Sequence, residues 1–303
     1  MTLSLRRTGP FPRVYGHRGA RGVLPENTLE GFAYLREIAA DAVEFDVRNA
    51  AGRVPVVIHD PHIPMSLARG PDGRWLAAPG AKVVDLTLAQ LQAFDIGRMN
   101  PALPYGARFA GQLPADGARV PTLDVVLAWA ARDGNDMLLN IEIKSDATRP
   151  DLGDTPQVLA ADVLEAIARH EVGERVLISS FDWRVLSAVR TVDPGIARGY
   201  LTLEPPDPEA NILDGAPWMD GLRQDEHGGS LPRLIAAQGA VAWCPYRRDV
   251  TPERVAEAQA LGLAVNVWTV NTPKDITRMI AMGVDGIITD YPERVQALCV
   301  HPN

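Results

Sequence analysis

The sequence predicts an α/β fold of the (β/α)8 barrel class, and three observations support that prediction. Short β-branched runs alternate with segments of helical periodicity along nearly all of the 303 residues. Eight such runs occur, each followed by a helical segment or an insertion, which is the strand number of a closed barrel. Polar residues of chemical interest follow several different strands, and a barrel gathers the carboxyl ends of all its strands at one mouth.

The predicted strands are runs of four to eight residues. An open doubly wound sheet is the alternative, but no Gly-x-Gly-x-x-Gly motif opens a helix after the first run. In chain order the strands are expected at residues 13–16, 42–47, 137–144, 175–181, 196–202, 240–245, 263–270 and 284–290.

The segments between the strands carry residues that favour helix ends. Thr28, Thr122 and the pair Thr272–Pro273 stand where an N-cap or a first helical turn is expected. Gly262 ends another periodic segment, at the place where a left-handed C-cap is favoured. These residues predict that the runs between the strands are helices.

Two segments interrupt the alternation. Residues 61–118, rich in proline and glycine, separate the second strand from its helix, and we interpret them as a subdomain inserted into one domain covering residues 1–303. Inside the insertion, residues 82–95 predict a short helix capped by Thr87. Residues 203–230 form a long acidic loop, and loops of such length are usually functional.

Composition and charge limit the possible functions. Hydrophobic residues make up 46% of the chain and charged residues 22%, which is ordinary for a globular protein. The net charge of −8 argues against a nucleic-acid surface. No run approaches the roughly 18 apolar residues of a spanning helix, and no signal-peptide core precedes Gly9 and Pro10. Cys244 and Cys299 are too few for a disulfide framework, so we expect a reducing, cytoplasmic compartment. From the charge and the absence of a long apolar run, we expect neither nucleic-acid partners nor stable membrane insertion.

Three carboxylates fall at alternating positions of two predicted strands. Side chains two residues apart share a strand face, so Glu44 points with Asp46, and Glu142 points with Lys144. An isolated Glu-x-Asp pair is more often a surface ion-pair cluster, but both of these strands are embedded in β-branched residues. Converging carboxylates repel one another without a counter-ion. We therefore expect one divalent cation, Mg²⁺ or Ca²⁺, held by the oxygens of Glu44, Asp46 and Glu142.

Two histidines flank the acidic pair. His17 follows the first strand, where a lone histidine is more often structural than catalytic. The adjacent Arg18, whose guanidinium suits a phosphate, makes a catalytic role more plausible. His59 lies beyond Asp46, but a hairpin turning at Ala51–Gly52 would run the next strand back beside the second one. Such a hairpin would place His59 opposite the acidic pair.

Other candidates are less specific. Trp268 shares a strand face with Asn266, and core packing and ligand stacking are equal alternatives for its ring. Ser179 and Ser180 lack a Gly-x-Ser-x-Gly elbow, which argues against a serine nucleophile. The chain has no His-x-His or His-Glu-x-x-His pattern, which argues against a zinc hydrolase.

Seven longer motifs point to one family. In chain order, between about residue 14 and residue 295, they read GHRGARGVLPENTLEGF, AVEFDVRNAAGRVPVVIHD, VPTLDVVL, NIEIK, ISSF, VNVWTVN and GVDGIITDYPERV. With these motifs the chain resembles the glycerophosphodiester phosphodiesterase family, the phospholipase C-like TIM-barrel phosphodiesterases. The resemblance implies a TIM barrel with a small insertion after strand 2. It also implies metal-dependent hydrolysis of glycerophosphodiesters, small-molecule substrates, to an alcohol and glycerol 3-phosphate.

The resemblance also implies roles for individual residues. His17 and His59 match the family's general acid–base pair, Glu44, Asp46 and Glu142 match its metal ligands, and Arg18 and Lys144 match its phosphate contacts. With these we group Trp268 as a candidate substrate contact. The usual Asp-Gly turn is Ala51–Gly52 here, and the run HDPHIPMSLARGPDG lacks the Arg-Thr-Thr commonly found in the family. The second departure leaves the head-group preference open.

Three other functions are alternatives. A lysophospholipase D-like activity on longer lipid diesters would need an exposed apolar groove, for instance at the loop of Trp218 and Met219. A catalytically silent, ligand-binding barrel would be favoured by the loss of a metal carboxylate, and all three are present. A sugar-phosphate aldolase or isomerase could use Lys144, but both histidines would then have no role.

Overall fold

A computed structural model of the protein describes residue 3 and residues 5–300, with the backbone alone at residue 300. The ends of the predicted domain 1–303 lie outside the described residues. The described part contains nine β-strands: β1 (Arg13–His17), β2 (Ala42–Ala50), β3 (Val54–Val57), β4 (Leu138–Ile143), β5 (Val176–Ser180), β6 (Ala197–Thr202), β7 (Ala242–Pro245), β8 (Ala264–Val267) and β9 (Gly286–Thr289). It also contains ten α-helices: α1 (Leu29–Glu37), α2 (Leu88–Leu91), α3 (Pro104–Arg108), α4 (Leu123–Ala130), α5 (Pro156–Arg169), α6 (Trp183–Val192), α7 (Leu231–Ala237), α8 (Pro252–Ala260), α9 (Pro273–Met282) and α10 (Pro292–Val300).

Eight of these strands close into a parallel barrel, which confirms the predicted fold class. Around the ring the order is β1, β2, β4, β5, β6, β7, β8 and β9, and both β2 and β9 pair with β1. Each of the eight predicted strands coincides with one strand of the ring. The helices α1 and α4 to α10 follow the ring strands in alternation. None of the helices in the described ranges is long and apolar enough to cross a membrane.

The remaining strand, β3, lies outside the ring. It pairs antiparallel with β2, with Val54 opposite Ala50 and Val57 opposite Val47. Gly52 between them has a φ of +78°, a left-handed conformation that suits glycine and a tight turn. The hairpin predicted at Ala51–Gly52 is therefore confirmed. Its pairing extends β2 to Ala50, three residues beyond the predicted end.

The predicted helix caps are confirmed. The threonine side chains accept hydrogen bonds from the first turn, each a contact that stabilises a helix by about 1 kcal/mol. The pairs are Thr28 with the N–H of Gly31, Thr122 with that of Val125, and Thr272 with that of Asp275. Thr87 and Gln90 form a reciprocal capping box at α2.

The insertion between β3 and α4 has a small apolar cluster of its own. Ile63, Val83 and Leu91 are buried there together with Ile58 and Val120, which flank the insertion. The acidic loop at 203–230 contains two short 3₁₀ turns, Pro217–Met219 and Asp225–His227.

The segment before β1 closes the amino-terminal end of the barrel. Leu5 is 2% exposed and packs in a cluster with Leu177, Ala242 and Ala264, which lie at the beginnings of their strands. Arg6 Nε donates to Asp285 Oδ1 at 3.0 Å, directly before β9. This plug leaves the carboxyl end of the barrel as the accessible mouth.

Candidate active site

The three predicted metal ligands meet at the mouth of the barrel. Parallel pairing sets His17 beside Glu44 and Asp46 beside Glu142. One ligand oxygen from each of Glu44, Asp46 and Glu142 lies within 4.8 Å of the others, and all three residues are buried. We call these residues the acidic triad. The alternation of side chains along β2 and β4 is the reason that they share one face.

The acidic triad fits a hard divalent cation. Its donors are all carboxylate oxygens, and Glu44 Oε1 is buried with no hydrogen-bond partner among the described residues. Burial and the neighbouring carboxylates raise the pKa of Glu44 well above its ordinary value, and burial also raises the pKa of Glu142. A cation among these oxygens would lower both values and give the orphaned oxygen a partner.

Two positively charged side chains, Lys144 and Arg18, lie against the acidic triad. Lys144 Nζ is 3.1 Å from Asp46 Oδ1 and 2.5 Å from Glu142 Oε1. Arg18 Nε is 3.3 Å from Asp46 Oδ2. Burial alone would raise the pKa of Asp46, but Lys144 and Arg18 outweigh it and hold that pKa well below its ordinary value. Both predicted phosphate contacts are therefore next to the predicted metal ligands.

His17 is held between two carboxylates. Its Nδ1 is 2.7 Å from Asp290 Oδ1, and its Nε2 is 3.9 Å from Glu44 Oε2. An ionised carboxylate only accepts, so Nδ1 carries the proton of the neutral ring and Nε2 presents a lone pair toward the acidic triad. Burial, together with the Arg21 guanidinium, lowers the pKa of His17 to about 4. The ring is therefore neutral at pH 7 and can accept a proton.

His59 reaches the same site on the hairpin. The N–H of Ile58 donates to the Asp46 carbonyl at 3.0 Å, which fastens the end of the hairpin beside the acidic triad. His59 Nδ1 lies 2.7 Å from Asp60 Oδ1, and about a third of its side chain (32%) is exposed. Burial and the two nearby cations lower the pKa of His59 below its ordinary value. The structure thus brings both predicted histidines to the acidic triad.

Asp290, which directly follows β9, is a site residue that the sequence analysis did not identify. It is 1% exposed, and four N–H groups converge on its two oxygens. They belong to His17 Nδ1 at 2.7 Å, Arg21 Nε at 2.9 Å, Arg21 Nη2 at 3.1 Å and Asn271 Nδ2 at 2.6 Å. A signal was present, because an aspartate directly after the last barrel strand faces the same mouth as a histidine at the end of the first.

Glu26 and Asn27 were also missed, because the turn before α1 was interpreted as a helix cap alone. Thr28 does cap α1, as predicted. Asn27 Nδ2, however, donates to Asp46 Oδ2 at 2.9 Å, and Glu26 Oε1 accepts from Arg18 Nη1 at 2.7 Å. The same turn therefore orients one member of the acidic triad and one of its cations.

Trp268 lies at the rim of the site in an aromatic group. Its indole N–H donates to the Cys244 carbonyl at 2.9 Å, and its ring packs 5.2 Å from Phe181 and 5.1 Å from Tyr246. The ring of Phe181 is in turn 5.8 Å from Lys144 Nζ. The aromatic group therefore borders Lys144, which faces the acidic triad.

The loop considered for an apolar groove under the lysophospholipase D alternative has one of its two named side chains in the core. Trp218 is half-buried, and Met219 is fully buried in the main core. Met219 therefore contributes to stability and does not contribute to an exposed groove.

Comparison with known proteins agrees with this geometry. The sequence profile of the Glycerophosphoryl diester phosphodiesterase family matches residues 17–294. The glycerophosphodiester phosphodiesterase of Caldanaerobacter subterraneus subsp. tengcongensis is 31% identical over 280 residues, which cover 92% of this chain and 94% of that protein. A protein from Silicibacter pomeroyi DSS-3, provisionally named a glycerophosphoryl diester phosphodiesterase, superposes with a TM-score of 0.87 at 39% identity, over 98% of this chain and 96% of the other.

A more distant structure shares the fold. It is an Oleispira antarctica phosphodiesterase in complex with the product sn-glycerol-3-phosphate, with a TM-score of 0.69 at 21% identity over 96% of this chain and 98% of the other. The family profile covers most of the present chain, from the first candidate histidine to the last helix. The chain therefore belongs to the glycerophosphoryl diester phosphodiesterase family of enzymes.

Proposed function

We propose that the protein hydrolyses glycerophosphodiesters to an alcohol and glycerol 3-phosphate in a reaction that needs one divalent cation, Mg²⁺ or Ca²⁺. The observation that supports this most is the buried acidic triad, with a neutral histidine on β1, a second histidine on the hairpin and two cations at its side. The product bound to the Oleispira antarctica relative is consistent with this substrate class.

In this proposal Glu44, Asp46 and Glu142 hold the cation. When bound, the cation would supply Lewis-acid polarisation of the phosphoryl group. Arg18 and Lys144 balance the negative charge that grows on the phosphoryl oxygens as the nucleophile approaches. Because both side chains are held by carboxylates before substrate arrives, little reorganisation is needed at the moment of reaction.

His17 and His59 act as the acid–base pair. One, in its neutral form, accepts a proton from the nucleophile, which is water or the glycerol hydroxyl of the substrate, and the other, which enters the step protonated on Nε2, donates that proton to the leaving alkoxide. Each histidine has its Nδ1 bonded to an aspartate, so Nε2 is the atom that exchanges the proton. Trp268, with Phe181 and Tyr246, is the proposed contact for the part of the substrate beyond the phosphate.

The test is release of glycerol 3-phosphate from glycerophosphocholine and glycerophosphoethanolamine, with chelator or with added Mg²⁺ or Ca²⁺. We expect release that chelator abolishes and added metal restores. Release that ignores chelator would contradict the metal role of the acidic triad. Failure of both substrates with both metals would contradict the proposed substrate class.

A pair of matched variants tests the acidic triad directly. Glu142→Gln keeps the size of the side chain and removes one charged donor, so we expect metal-dependent release to fall with a higher metal requirement. Glu257→Gln is the control, because Glu257 pairs with Arg233 on the helices outside the barrel. Equal metal requirements for the two variants would remove Glu142 from the cation site.

A further inference from the structure

The insertion is attached to the β1–α1 loop by polar contacts from its last part. Gln112 Nε2 donates to the carbonyls of Arg21 and Leu24 at 2.7 and 3.1 Å. Tyr105, on α3, is the second attachment. Its place is set by Gly106, where an added Cβ would lie 2.0 Å from the Asn100 carbonyl oxygen. The backbone of the insertion thus holds the Tyr105 side chain against the β1–α1 loop.

The Tyr105 hydroxyl lies between an acid and a cation. It donates a hydrogen bond to Glu26 Oε2 and accepts one from Arg21 Nη1 at 2.9 Å. The ring also packs edge-on against Phe109, with the centroids 5.6 Å apart and an interplanar angle of 65°. The phenol is therefore fixed at both ends, by its ring and by its hydroxyl.

Both partners of the hydroxyl lead to the active site. The second oxygen of Glu26 accepts from Arg18 Nη1 at 2.7 Å, and Arg18 Nε lies beside Asp46. Arg21, on the other side, donates two hydrogen bonds to Asp290, which holds His17. The Tyr105 hydroxyl is thus linked through a single residue, Glu26, to Arg18, the proposed phosphate-binding arginine.

We propose that Tyr105 is a positioning residue for catalysis, which acts through Glu26 on the guanidinium of Arg18. This inference rests on the proposed function. The hydroxyl separates Glu26 from Arg21 and satisfies each with a neutral group. Without it, Arg21 Nη1 would lose its acceptor while the other two nitrogens stay on Asp290, and it would compete with Arg18 for the Glu26 carboxylate. Arg18 would then share the carboxylate that, together with Asp46, fixes its guanidinium at the proposed phosphate site.

The variant Tyr105→Phe removes the hydroxyl and keeps the ring that packs on Phe109. We expect kcat/KM on glycerophosphocholine to fall about tenfold or more, because a hydrogen bond to a charged group is lost, while the thermal unfolding midpoint changes little. Tyr34→Phe is the matched control, because Tyr34 lies in α1, outside the site, and we expect that variant to keep wild-type turnover.

A double-mutant cycle separates positioning from a general structural effect. In an Arg18→Ala background, Tyr105→Phe should lower kcat/KM by less than about twofold, because the group through which it acts is gone. The same tenfold loss in both backgrounds would overturn the proposal, as would wild-type kcat/KM for Tyr105→Phe.

Binding of inorganic phosphate to the metal-loaded enzyme tests the same contact without turnover. Tyr105→Phe should weaken phosphate several-fold, and Tyr34→Phe should not. If the wild-type enzyme cleaves none of the diesters, the proposed function fails, whereas the phosphate affinities still decide the role of Tyr105. Equal affinities for wild type and Tyr105→Phe would overturn it.

Discussion

Replacing Asp290 with asparagine would test how far the active site depends on the group behind His17. The native carboxylate accepts hydrogen bonds from His17, Arg21 and Asn271 through four N–H groups. An asparagine offers one carbonyl oxygen, which can satisfy two of these donors, and one NH₂ group, which faces the other two. If the NH₂ group faces His17 Nδ1, the ring must take the opposite tautomer, and Nε2 can no longer accept a proton.

The expected stability and rate of Asp290→Asn follow from the number of N–H donors that lose their acceptor. Asp290 is 1% exposed, so solvent does not replace the lost partners, and a broken buried charge pair costs roughly 3–5 kcal/mol of unfolding free energy. Loss of a proton-transfer group lowers turnover by about 10²–10⁴, and the same change behind the histidine of a catalytic triad is at the upper end of that range. We therefore expect a folded, less stable enzyme with a kcat lowered by a factor in this range.

The assay is kcat for glycerol 3-phosphate release, measured beside urea unfolding. Asp285→Asn is a matched control at the opposite end of β9, because Asp285 is also fully buried and accepts from Arg6, Gln259 and the N–H of Val265. The control should lose stability and keep its kcat. A kcat within about threefold of wild type in folded Asp290→Asn would refute the role given to the Asp290–His17 bond.

Three further predictions follow from the same structure. His17→Ala and His59→Ala should each lower kcat by about 10²–10⁴ with the fold retained, and wild-type turnover in either would exclude that histidine. Because the pKa of His17 falls from about 6.5 in the unfolded chain to about 4 in the fold, only the unfolded state binds that proton between these values. The contribution of His17 to the unfolding free energy should therefore drop by roughly 3 kcal/mol as the pH of metal-free protein falls from 6.5 to 4, and this contribution is measured as the difference in slope between wild type and the shallower His17→Asn. Leu5→Ala should destabilise the barrel by about 2–5 kcal/mol in urea unfolding without lowering kcat, and an unchanged midpoint would contradict the plug at its amino-terminal end.

The parts of the site that could be predicted from sequence lie on strands whose pattern is local. Glu44 and Asp46 share a face because strand side chains alternate, and a turn signal at Ala51–Gly52 was enough to return His59 to them. The barrel itself followed from counting strands, since each run of β-branched residues stands out from its neighbours.

The contacts that escaped prediction depend on closure of the barrel and on the insertion. Asp290 meets His17 only because β9 pairs with β1, and the two residues are 273 positions apart in the chain. Tyr105 contacts Glu26 because the proline- and glycine-rich insertion folds back against the β1–α1 loop. The sequence around Tyr105 has no periodicity that would predict where its side chain lies. A side chain in such a place is identified by its neighbours in space, which a single sequence does not list.

The attachment of the insertion through Tyr105 and Gln112 bears on how this enzyme can be re-engineered. Exchanging the insertion for that of a relative would preserve catalysis only if the insertion made no contact with the residues around the site. In this chain the replacement insertion would also have to place a hydroxyl between Glu26 and Arg21, or those two residues would have to be exchanged as well. If Tyr105 positions Arg18 as we propose, exchanging the insertion would change the catalytic rate together with any change in substrate range.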